Sequence, residues 1–247
     1  MKHILKVASL GNLPDTRPLI AMNDDGDLKW LAEVAPSIEM VNLGLTSGTL
    51  WAKTNIGAQS ETEAGLYFAW GETAQHEGWL ADKSTHPYDW GEYQYAESDY
   101  NELTKYCNDS EYGYQGFMDG KTVLEATDDV ATVVLGAEYK MPTKAQFEEL
   151  IEETNNEWVE DFNGSGVNGY KFTNKLDSSK YIFLPAAGGC NDSNLYSVGN
   201  EGYYWSSSLS EDDPDNAWGL YFNNEEVNMY YDSRCGGFTV RPVRVAN

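Results

Sequence analysis

Short alternating segments dominate the chain from Val41 onward, and each ends in a turn that contains Gly, Asn, Asp or Pro. Alternation of apolar and polar residues is typical of half-buried β-strands, and turn residues of these types separate strands. In chain order the segments are VNLGLTSGTLWAKTNIGA, GLYFAWGE, VNGYKFT, KYIFLPAAGG, GYYWSSS, AWGLYFNN, EEVNMYY and GFTVRPVRV. The pattern predicts many short, mainly antiparallel strands, and the first segment suggests a hairpin around Gly44, Gly48 and Gly57.

A first helix is expected near residues 127–135. Thr127 is a suitable N-cap because its hydroxyl can accept a hydrogen bond from the first helical turn. The predicted inner face consists of Val130, Val133 and Val134. Gly136 is expected to end the helix, since glycine tolerates the left-handed backbone that commonly follows a helix.

A second helix is expected near residues 143–154, where Thr143 and Gln146 have the spacing of a capping box. The predicted inward stripe is Phe147, Leu150 and Ile151. The remaining acidic side chains, expected to face water, are Glu148, Glu149, Glu152 and Glu153. Two helices among many short strands predict an α+β domain with a mainly antiparallel sheet.

The change of pattern at Val41 divides the chain into an N-terminal segment, 1–36, and one domain, 41–247. The segment is too short to bury a core of its own, so we expect it to attach the domain or to oligomerise it. Residues 76–120 are rich in Tyr and show no period. They are expected to form a long surface excursion that aromatic side chains pin to the domain.

The charge excludes two classes of partner. The chain has 40 Asp and Glu against 16 Lys and Arg, a net charge of −24. Binding to nucleic-acid phosphates requires clustered cations, and an anionic membrane surface would repel this protein. No apolar run approaches the length of a membrane-spanning helix, and the N-terminus lacks the apolar core of a signal peptide. We therefore expect no nucleic acid, no membrane insertion and no export signal.

Seven ordered motifs carry a resemblance to a known family: VNLGLTSGTLWAKTNIGA, YFAWGET, YKMPTKAQFEELI, IFLPAAGG, YYWSSS, AWGLYFNN and GFTVRPVR. This series, from about Val41 to Arg244, resembles a group of gut-bacterial and phage proteins with a C-type-lectin-like fold. That group is related to the formylglycine-generating, sulfatase-modifying superfamily. The resemblance implies a C-type-lectin-like domain with two helices and a twisted β-structure whose C-terminal part presents a binding surface.

Several of these similar proteins are the variable proteins of diversity-generating retroelements, in which asparagine codons near the C-terminus are rewritten. The matching segment here runs from Trp205 to Arg244. The candidate ligand-binding residues are Ser208, Trp218, Tyr221, Tyr230, Tyr231, Asp232, Ser233 and Cys235. Tyr230, Tyr231, Asp232, Ser233, Cys235 and Gly236 can each arise from an asparagine codon by changes of adenine alone. Diversification and ordinary drift in a Tyr-rich turn remain alternatives at this point.

The geometry of this surface follows from strand alternation. AWGLYFNN and EEVNMYY are predicted to be consecutive strands joined by a polar turn. Leu220 and Phe222 should then point to the core, and Tyr221 should point outward. Trp218 shares the parity of Leu220, so it reaches the surface only if the strand begins or bulges at Gly219.

The leading hypothesis is a non-enzymatic protein that recognises a protein or carbohydrate ligand on a cell surface, as a phage receptor-binding protein does. It is placed on a virion or an extracellular surface and has no cofactor and no metal. Tyr and Trp offer broad contact area at low entropic cost, and Ser, Gly and Asp offer adaptable polar contacts. The alternative is an enzyme of the sulfatase-modifying or carbohydrate-active type.

Cysteine and histidine usage weakens the enzyme alternative. The oxidase of the related superfamily needs two closely spaced cysteines near its C-terminus, whereas here Cys190 is far in sequence from Cys235. The three cysteines are expected to be thiols, with a disulfide between Cys107 and Cys190 as the alternative. Cys235 is either an exposed thiol in the binding patch or a small buried hydrophobe. The three histidines stand apart from any nucleophile motif.

One acidic loop is a candidate cation site. The run from Glu211 to Asn216 is dense in the oxygen ligands that Ca²⁺ prefers. It is either a solvated turn or a calcium site formed by Asp212, Asp213 and Asp215.

Overall fold

The computed structural model describes residues 20–22, 28–30, 38–76 and 87–245. The chain divides into two compact units, Met1–Ser37 and Ile38–Asn247. In the first unit the described residues are two short antiparallel strands, β1 (Ile20–Met22) and β2 (Leu28–Trp30). The remainder of the predicted N-terminal segment lies outside the described residues.

In the described part of the second unit, eleven strands form four small antiparallel sheets, with orders β13–β4–β3, β5–β6–β7, β8–β9 and β10–β11–β12. Their bounds are β3 (Met40–Asn42), β4 (Thr49–Ala52), β5 (Thr154–Val159), β6 (Gly169–Asn174), β7 (Tyr181–Pro185), β8 (Gly189–Asn191), β9 (Asn194–Tyr196), β10 (Gly202–Leu209), β11 (Asn216–Phe222), β12 (Val227–Ser233) and β13 (Val243–Val245). The helices are α1 (Val130–Leu135) and α2 (Lys144–Glu153), with short 3-10 turns at Tyr114–Gly116 and Phe162–Gly164.

The predicted fold class, α+β with a C-type-lectin-like fold, is wrong. The structure is mostly β-sheet, with 34% strand and 11% helix, and its strands lie in several small antiparallel sheets. The prediction assumed one central β-structure flanked by two helices, whereas the structure has several separate sheets and little helix. The number of strands in a sheet depends on which segments pair, and each of these sheets has two or three strands.

Two of the predicted strands are largely absent from the structure. The segment 65–72 forms only a single bridge, in which Phe68 and Phe238 exchange main-chain hydrogen bonds of 2.9 and 3.1 Å. Of the segment GFTVRPVRV, only the last residues form a strand, β13. The hairpin predicted in the first segment, VNLGLTSGTLWAKTNIGA, is confirmed, because β3 and β4 pair from Met40 opposite Ala52.

The first helix begins later than its sequence indicates. Its N-cap is Asp129 and not Thr127, and the Asp129 carboxylate accepts hydrogen bonds from the main-chain N–H of Thr132 at 3.0 Å and of Met141 at 2.9 Å. The later start changes the buried face to Val130, Ala131 and Leu135. Val133 and Val134 are therefore 51% and 44% exposed, against the prediction. Gly136 ends the helix as expected.

The second helix begins as predicted. Thr143 Oγ1 accepts from the main-chain N–H of Gln146 at 3.2 Å, and Gln146 Oε1 accepts from that of Thr143 at 2.9 Å, which completes the capping box. Phe147 and Leu150 are buried and Ile151 is half-buried.

Two glutamates of α2 do more than face water. The Glu149 carboxylate accepts from the main-chain N–H and hydroxyl of Ser47 at 2.7 and 2.6 Å. Glu153 accepts from the same two groups of Thr46 at 2.7 and 2.8 Å. These bonds hold the turn between β3 and β4 against the helix.

The helices are short: α1 has 6 residues and α2 has 10. A helix that crosses a bilayer needs about 20 apolar residues. No helix in the described ranges therefore has the length and apolar character to span a membrane.

The long Tyr-rich segment is pinned by its aromatic side chains, as predicted. Tyr93 and Tyr106 are 3% and 0% exposed. The Tyr93 hydroxyl donates to the Trp70 carbonyl at 2.7 Å, and the Tyr106 hydroxyl donates to the Asp128 carboxylate. Buried tyrosines need such partners, so each one fixes a point of a segment that has little regular structure.

The sheet β10–β11–β12 lies between two hydrophobic clusters. Trp205, Ala217 and Phe238 belong to one cluster. Tyr204 and Leu220 belong to the other, which also contains the inward residues of α2. This sheet is therefore supported on both faces near β10 and β11, and β12 forms its outer strand.

Candidate ligand-binding surface

The predicted pair of strands is confirmed as β11 and β12. They pair antiparallel without interruption from Asn216 opposite Ser233 to Phe222 opposite Val227. Residues 223–226 form the polar turn between them, where the main-chain N–H of Asn223 donates to the carbonyl of Glu226 at 3.0 Å. The turn is further held by the Asn223 side chain, whose oxygen accepts from Glu225 N at 2.7 Å.

Alternation along β11 orients the side chains as expected. Leu220 and Phe222 are 1% and 0% exposed and pack in the core. Tyr221 points to the opposite face of the sheet, where its ring lies 5.2 Å from that of Tyr203 in β10. Tyr221 is half-buried.

Six aromatic rings form a continuous series across this sheet, which we call the aromatic ladder: Tyr196, Tyr203, Tyr221, Tyr230, Tyr231 and Trp218. The distances between successive ring centroids are 5.6, 5.2, 6.2, 5.8 and 5.2 Å. Separations of 4.5–7 Å are favourable for aromatic pairs. The ladder therefore behaves as one connected surface element.

The most exposed members of the ladder are Tyr230 and Tyr231, at 53% and 42%. Their ring planes are nearly parallel, with an angle of 6°. Consecutive residues of a strand point to opposite faces, so these two rings occupy both sides of the edge strand β12. By the same alternation Asp232 shares a face with Tyr230, and Ser233 shares a face with Tyr231.

The predicted single patch is thus distributed over two faces of the sheet. Tyr221, Tyr230 and Asp232 lie on one face, and Trp218 and Tyr231 lie on the other. The two groups meet only around the edge of β12. A ligand that contacts all of them must wrap this edge.

Trp218 does not reach the surface through a bulge at Gly219. The irregularity lies in β10 instead, between Trp205 and Leu209, where the Ser206 hydroxyl donates to the Trp218 carbonyl at 2.6 Å. Trp218 stays on the Leu220 face and is half-buried. Lys144 Nζ lies 3.4 Å from its ring centroid and covers part of it.

The remaining candidates have mostly local roles. Ser208 is half-buried, and its hydroxyl accepts from the main-chain N–H of Lys144 at 3.1 Å. Asp232 Oδ1 accepts from the main-chain N–H of Ser233 at 2.7 Å, and burial raises the pKa of the Asp232 carboxyl. Cys235 is only 6% exposed, so of the two alternatives for this residue the small buried hydrophobe holds and the exposed thiol does not.

The three cysteines are free thiols, as expected, and all are buried. Burial raises the pKa of Cys235 to about 12 and also raises the pKa of Cys190. At neutral pH these thiols are protonated, and a protonated thiol is a poor nucleophile and a poor metal ligand.

Glu201 orders the part of the ladder that lies on β10 and β11. Its carboxylate accepts from the hydroxyls of Tyr203 at 2.9 Å and Tyr221 at 3.2 Å. Hydrogen bonds from Ser197 and from these two tyrosines lower the pKa of Glu201. Burial raises the pKa of both tyrosines, and their bonds to Glu201 act in the same direction. The hydroxyls are therefore protonated donors at neutral pH.

Arg234 anchors the end of β12. Its side chain is fully buried, and its guanidinium carbon lies 4.9 Å from the Trp70 ring centroid. The guanidinium donates to the Tyr93 hydroxyl and to the carbonyls of Lys105, Tyr106 and Pro214, at 2.9–3.0 Å. No carboxylate is among these partners, so main-chain dipoles solvate the charge. The anchor fixes the position of the exposed tyrosines just before it.

The acidic loop acts as the turn between β10 and β11. The main-chain N–H of Asn216 donates to the Asp213 carbonyl at 2.9 Å, and the Asn108 side chain donates to the Glu211 carbonyl at 2.8 Å. Burial raises the pKa of Asp215. Among the described residues no group of three or more His, Cys, Asp and Glu side chains is placed to hold a metal ion.

Sequence reasoning missed four contributors to this surface: Tyr196, Tyr203, Glu201 and Lys144. Tyr203 could have been found, because its neighbour Tyr204 is a core residue and strand alternation then points Tyr203 the other way. Tyr196 and Lys144 could not, since they reach the sheet from β9 and α2 through tertiary packing.

Comparison with known proteins gives one match. Residues 166–243 match the model of a family described as a domain of unknown function, DUF8237. The matched segment contains the whole of the β10–β11–β12 sheet. No curated protein and no solved structure matches the chain significantly.

Proposed function

We propose that this protein is a non-enzymatic ligand-binding protein whose binding surface is the outer part of the aromatic ladder. The observation that carries the proposal is the pair Tyr230 and Tyr231, the most exposed rings of the ladder, on an edge strand anchored by Arg234. Tyrosine provides large amphipathic contact area and loses little side-chain entropy on binding. A protein seldom displays connected aromatic rings at its surface without a binding role.

The rigid sheet beneath Tyr230 and Tyr231 favours a role for these rings in ligand recognition and not in holding the fold together. The sheet is packed on both faces by hydrophobic clusters, whereas Tyr230 and Tyr231 extend beyond them. Side chains at such positions can change with little loss of folding free energy. This supports a variable surface, as in the variable proteins of diversity-generating retroelements, and limits the variable positions. Cys235 and Gly236 are buried and are excluded from that set.

The proposed partner is a protein or carbohydrate ligand on a cell surface, bound without a cofactor. The net charge of −24 disfavours nucleic acid and anionic lipid as ligands. We further propose that the protein acts on a virion or an extracellular surface and recognises a receptor there. The segment 1–36 would attach or oligomerise the binding domain.

The experiment compares the variant Tyr230→Ala/Tyr231→Ala with the wild type on a glycan array and on a displayed peptide library. A matched control is Tyr100→Ala/Tyr114→Ala, which removes two exposed tyrosines elsewhere, at 47% and 37% exposure. Each exposed substitution should change the free energy of unfolding by about 0.5 kcal/mol or less, plus about 0.5–1.5 kcal/mol for a lost ring pair.

We expect every ligand recovered with the wild type to lose at least about tenfold in affinity for the Tyr230→Ala/Tyr231→Ala variant, and to keep its affinity for the control variant. Ligands that bind both variants equally well would refute the proposed surface. Unfolding of the first variant would show instead that these rings belong to the core.

A genomic observation tests the variable character separately. A reverse transcriptase gene beside a near-copy of the C-terminal coding segment, with mismatches confined to template adenines, would support diversification. A neighbouring sulfatase gene would favour the enzymatic alternative.

A further inference from the structure

The outer edge of β12 carries unpaired main-chain groups. Bonded and non-bonded pairs alternate along an antiparallel ladder. The bonds from Asn223 N to Glu226 O and from Arg234 N to Asp215 O, both 3.0 Å, fix that alternation at the two ends. Residues 228, 230 and 232 therefore bond to β11, and Val227, Met229 and Tyr231 direct their N–H and C=O groups away from it. In the described part of the chain nothing pairs with these outward groups.

The open edge is bounded at Ser233. The main-chain N–H of Ser233 donates to Asp232 Oδ1 at 2.7 Å, and its carbonyl accepts from Gly236 N at 2.9 Å. Five residues, 227–231, thus present the geometry of a strand that lacks a neighbour.

Three devices that commonly protect an edge strand, Lys, Pro and a β-bulge, are missing from β12. Proteins cover such edges or place Lys, Pro or a β-bulge in them. β12 reads VNMYYDS, with no Lys and no Pro, and its register with β11 has no bulge. An exposed sheet edge is the site of strand addition, in which a partner segment extends the sheet through main-chain hydrogen bonds.

The negative charge around the edge of β12 favours a partner segment that carries positive charge. Residues 216–233 contain no Lys and no Arg. Glu225 and Glu226 are exposed at one end of β12, and Asp232 lies near the other. The Tyr230 and Tyr231 rings can accept a cationic side chain on their faces. Lys144 already occupies the Trp218 ring in this manner.

A second copy of this chain fits the edge poorly. Antiparallel self-pairing centred on Met229 would set Glu226 of one copy opposite Asp232 of the other. Like charges directly opposite each other destabilise a strand pair. Each copy also carries a net charge of −24.

We propose that the edge of β12 binds an extended, basic peptide segment, which adds to the β10–β11–β12 sheet as a fourth strand. This inference rests on the binding role proposed for the same surface and assigns the ligand class. Strand alternation specifies its pattern. Side chains on the Asn228, Tyr230 and Asp232 face should be Lys or Arg, and those on the Met229 and Tyr231 face should be apolar or β-branched.

The probe is the capped peptide Lys-Val-Lys-Thr-Lys-Val-Lys-Thr, titrated into the full-length protein by isothermal calorimetry. One control peptide has the same sequence with alternate main-chain nitrogens methylated, which keeps the charge and removes the donors that would face β12. A second control replaces each Lys by Glu. We expect the methylated peptide to bind at least about tenfold more weakly, and the acidic peptide not to bind.

Variants of the protein test the same main-chain hydrogen bonds by changing the β12 partner. Met229→Pro removes an outward N–H that β11 does not use, a substitution tolerated in edge strands. Met229→Ala removes the side chain and keeps that N–H. The Pro variant should lose about tenfold in affinity and the Ala variant clearly less, with the folding of both checked by thermal unfolding.

Three outcomes would overturn the inference: no binding of the basic peptide, equal binding of the methylated peptide, or a concentration-dependent dimer of the wild type by sedimentation that Met229→Pro abolishes and Met229→Ala does not. If the arrays yield only glycan ligands, and their binding requires Tyr230 and Tyr231, the peptide inference is refuted and the proposed binding function stands. If ligands bind equally well without Tyr230 and Tyr231, the binding function proposed for this surface is refuted as well.

Discussion

The ammonium nitrogen of Lys144, the first residue of α2, lies 3.4 Å from the ring centroid of Trp218 in β11. The main-chain N–H of Lys144 also donates to Ser208 in β10 at 3.1 Å. The start of α2 is thereby joined to two strands of the sheet that carries the aromatic ladder. The contact covers part of the ring of Trp218, which is half-buried.

This contact predicts an energetic coupling between Lys144 and Trp218. In a double-mutant cycle with Lys144→Met and Trp218→Leu, measured by urea unfolding, we expect a coupling free energy of about 0.5–1 kcal/mol. The distant pair Lys144→Met and Tyr100→Ala should be additive within about 0.5 kcal/mol. Additivity in both cycles would show that the ring and the ammonium group do not interact in solution.

Replacement of Arg234 should be among the most destabilising changes in the chain. Arg234→Met leaves the buried carbonyls of Lys105, Tyr106 and Pro214 without a donor, and we expect a loss of more than about 3 kcal/mol in the free energy of unfolding. Arg244→Met is the matched control. Arg244 pairs with Glu138 at 2.8 Å, but both side chains are partly exposed, so its loss should cost at most about 1 kcal/mol. Similar losses for both variants would contradict this account of Arg234.

His76 should make stability depend on pH. Its Nε2 lies 2.9 Å from Glu72 Oε2, and this hydrogen bond, with the negative charges of Glu72 and Glu92, raises the pKa of His76 above 6.5. The stabilisation is complete below pH 6.5 and is lost as the pH rises through the higher pKa of the folded state.

The measurement for His76 is urea unfolding between about pH 5 and pH 9, where histidine titrates, for the wild type and for His76→Gln. The difference in unfolding free energy between the two proteins should shrink as the pH rises. A difference that stays constant with pH, or that grows, would contradict the prediction.

Gly202 should not tolerate a side chain. A Cβ at this position would lie 2.1 Å from Phe222 Cζ, inside the buried core beneath the sheet. Gly202→Ala should therefore destabilise the protein by about 1–3 kcal/mol, because the packed ring has to shift. Gly91 is exposed, and a Cβ there would meet only Asp89 Oδ1 at 3.3 Å, so Gly91→Ala should cost about 0.5 kcal/mol or less. Equal costs in thermal unfolding would show that the core adapts.

The sequence by itself determined the features that depend on neighbouring residues. The capping box of Thr143 and Gln146 specified the start of α2, because both hydrogen bonds join residues three positions apart. Alternation specified that Leu220 and Phe222 point into the core, since successive strand residues point to opposite faces. The turn at 223–226 followed from its polar residues in the same local way.

Only the tertiary structure decided the features that depend on partners far away in the chain. The N-cap of α1 is Asp129 because its carboxylate also binds Met141. The fold class was mispredicted because strand length and sheet size depend on which segments pair, and a local pattern does not contain that information. Trp218 and Tyr221 were expected in one patch only if β11 began or bulged at Gly219, but the tertiary structure places the irregularity in β10, so the alternation along β11 keeps the two side chains on opposite faces. Burial of Arg234 was likewise invisible in a local pattern, because its guanidinium bonds to Tyr93 and Lys105, which lie more than a hundred residues earlier in the chain.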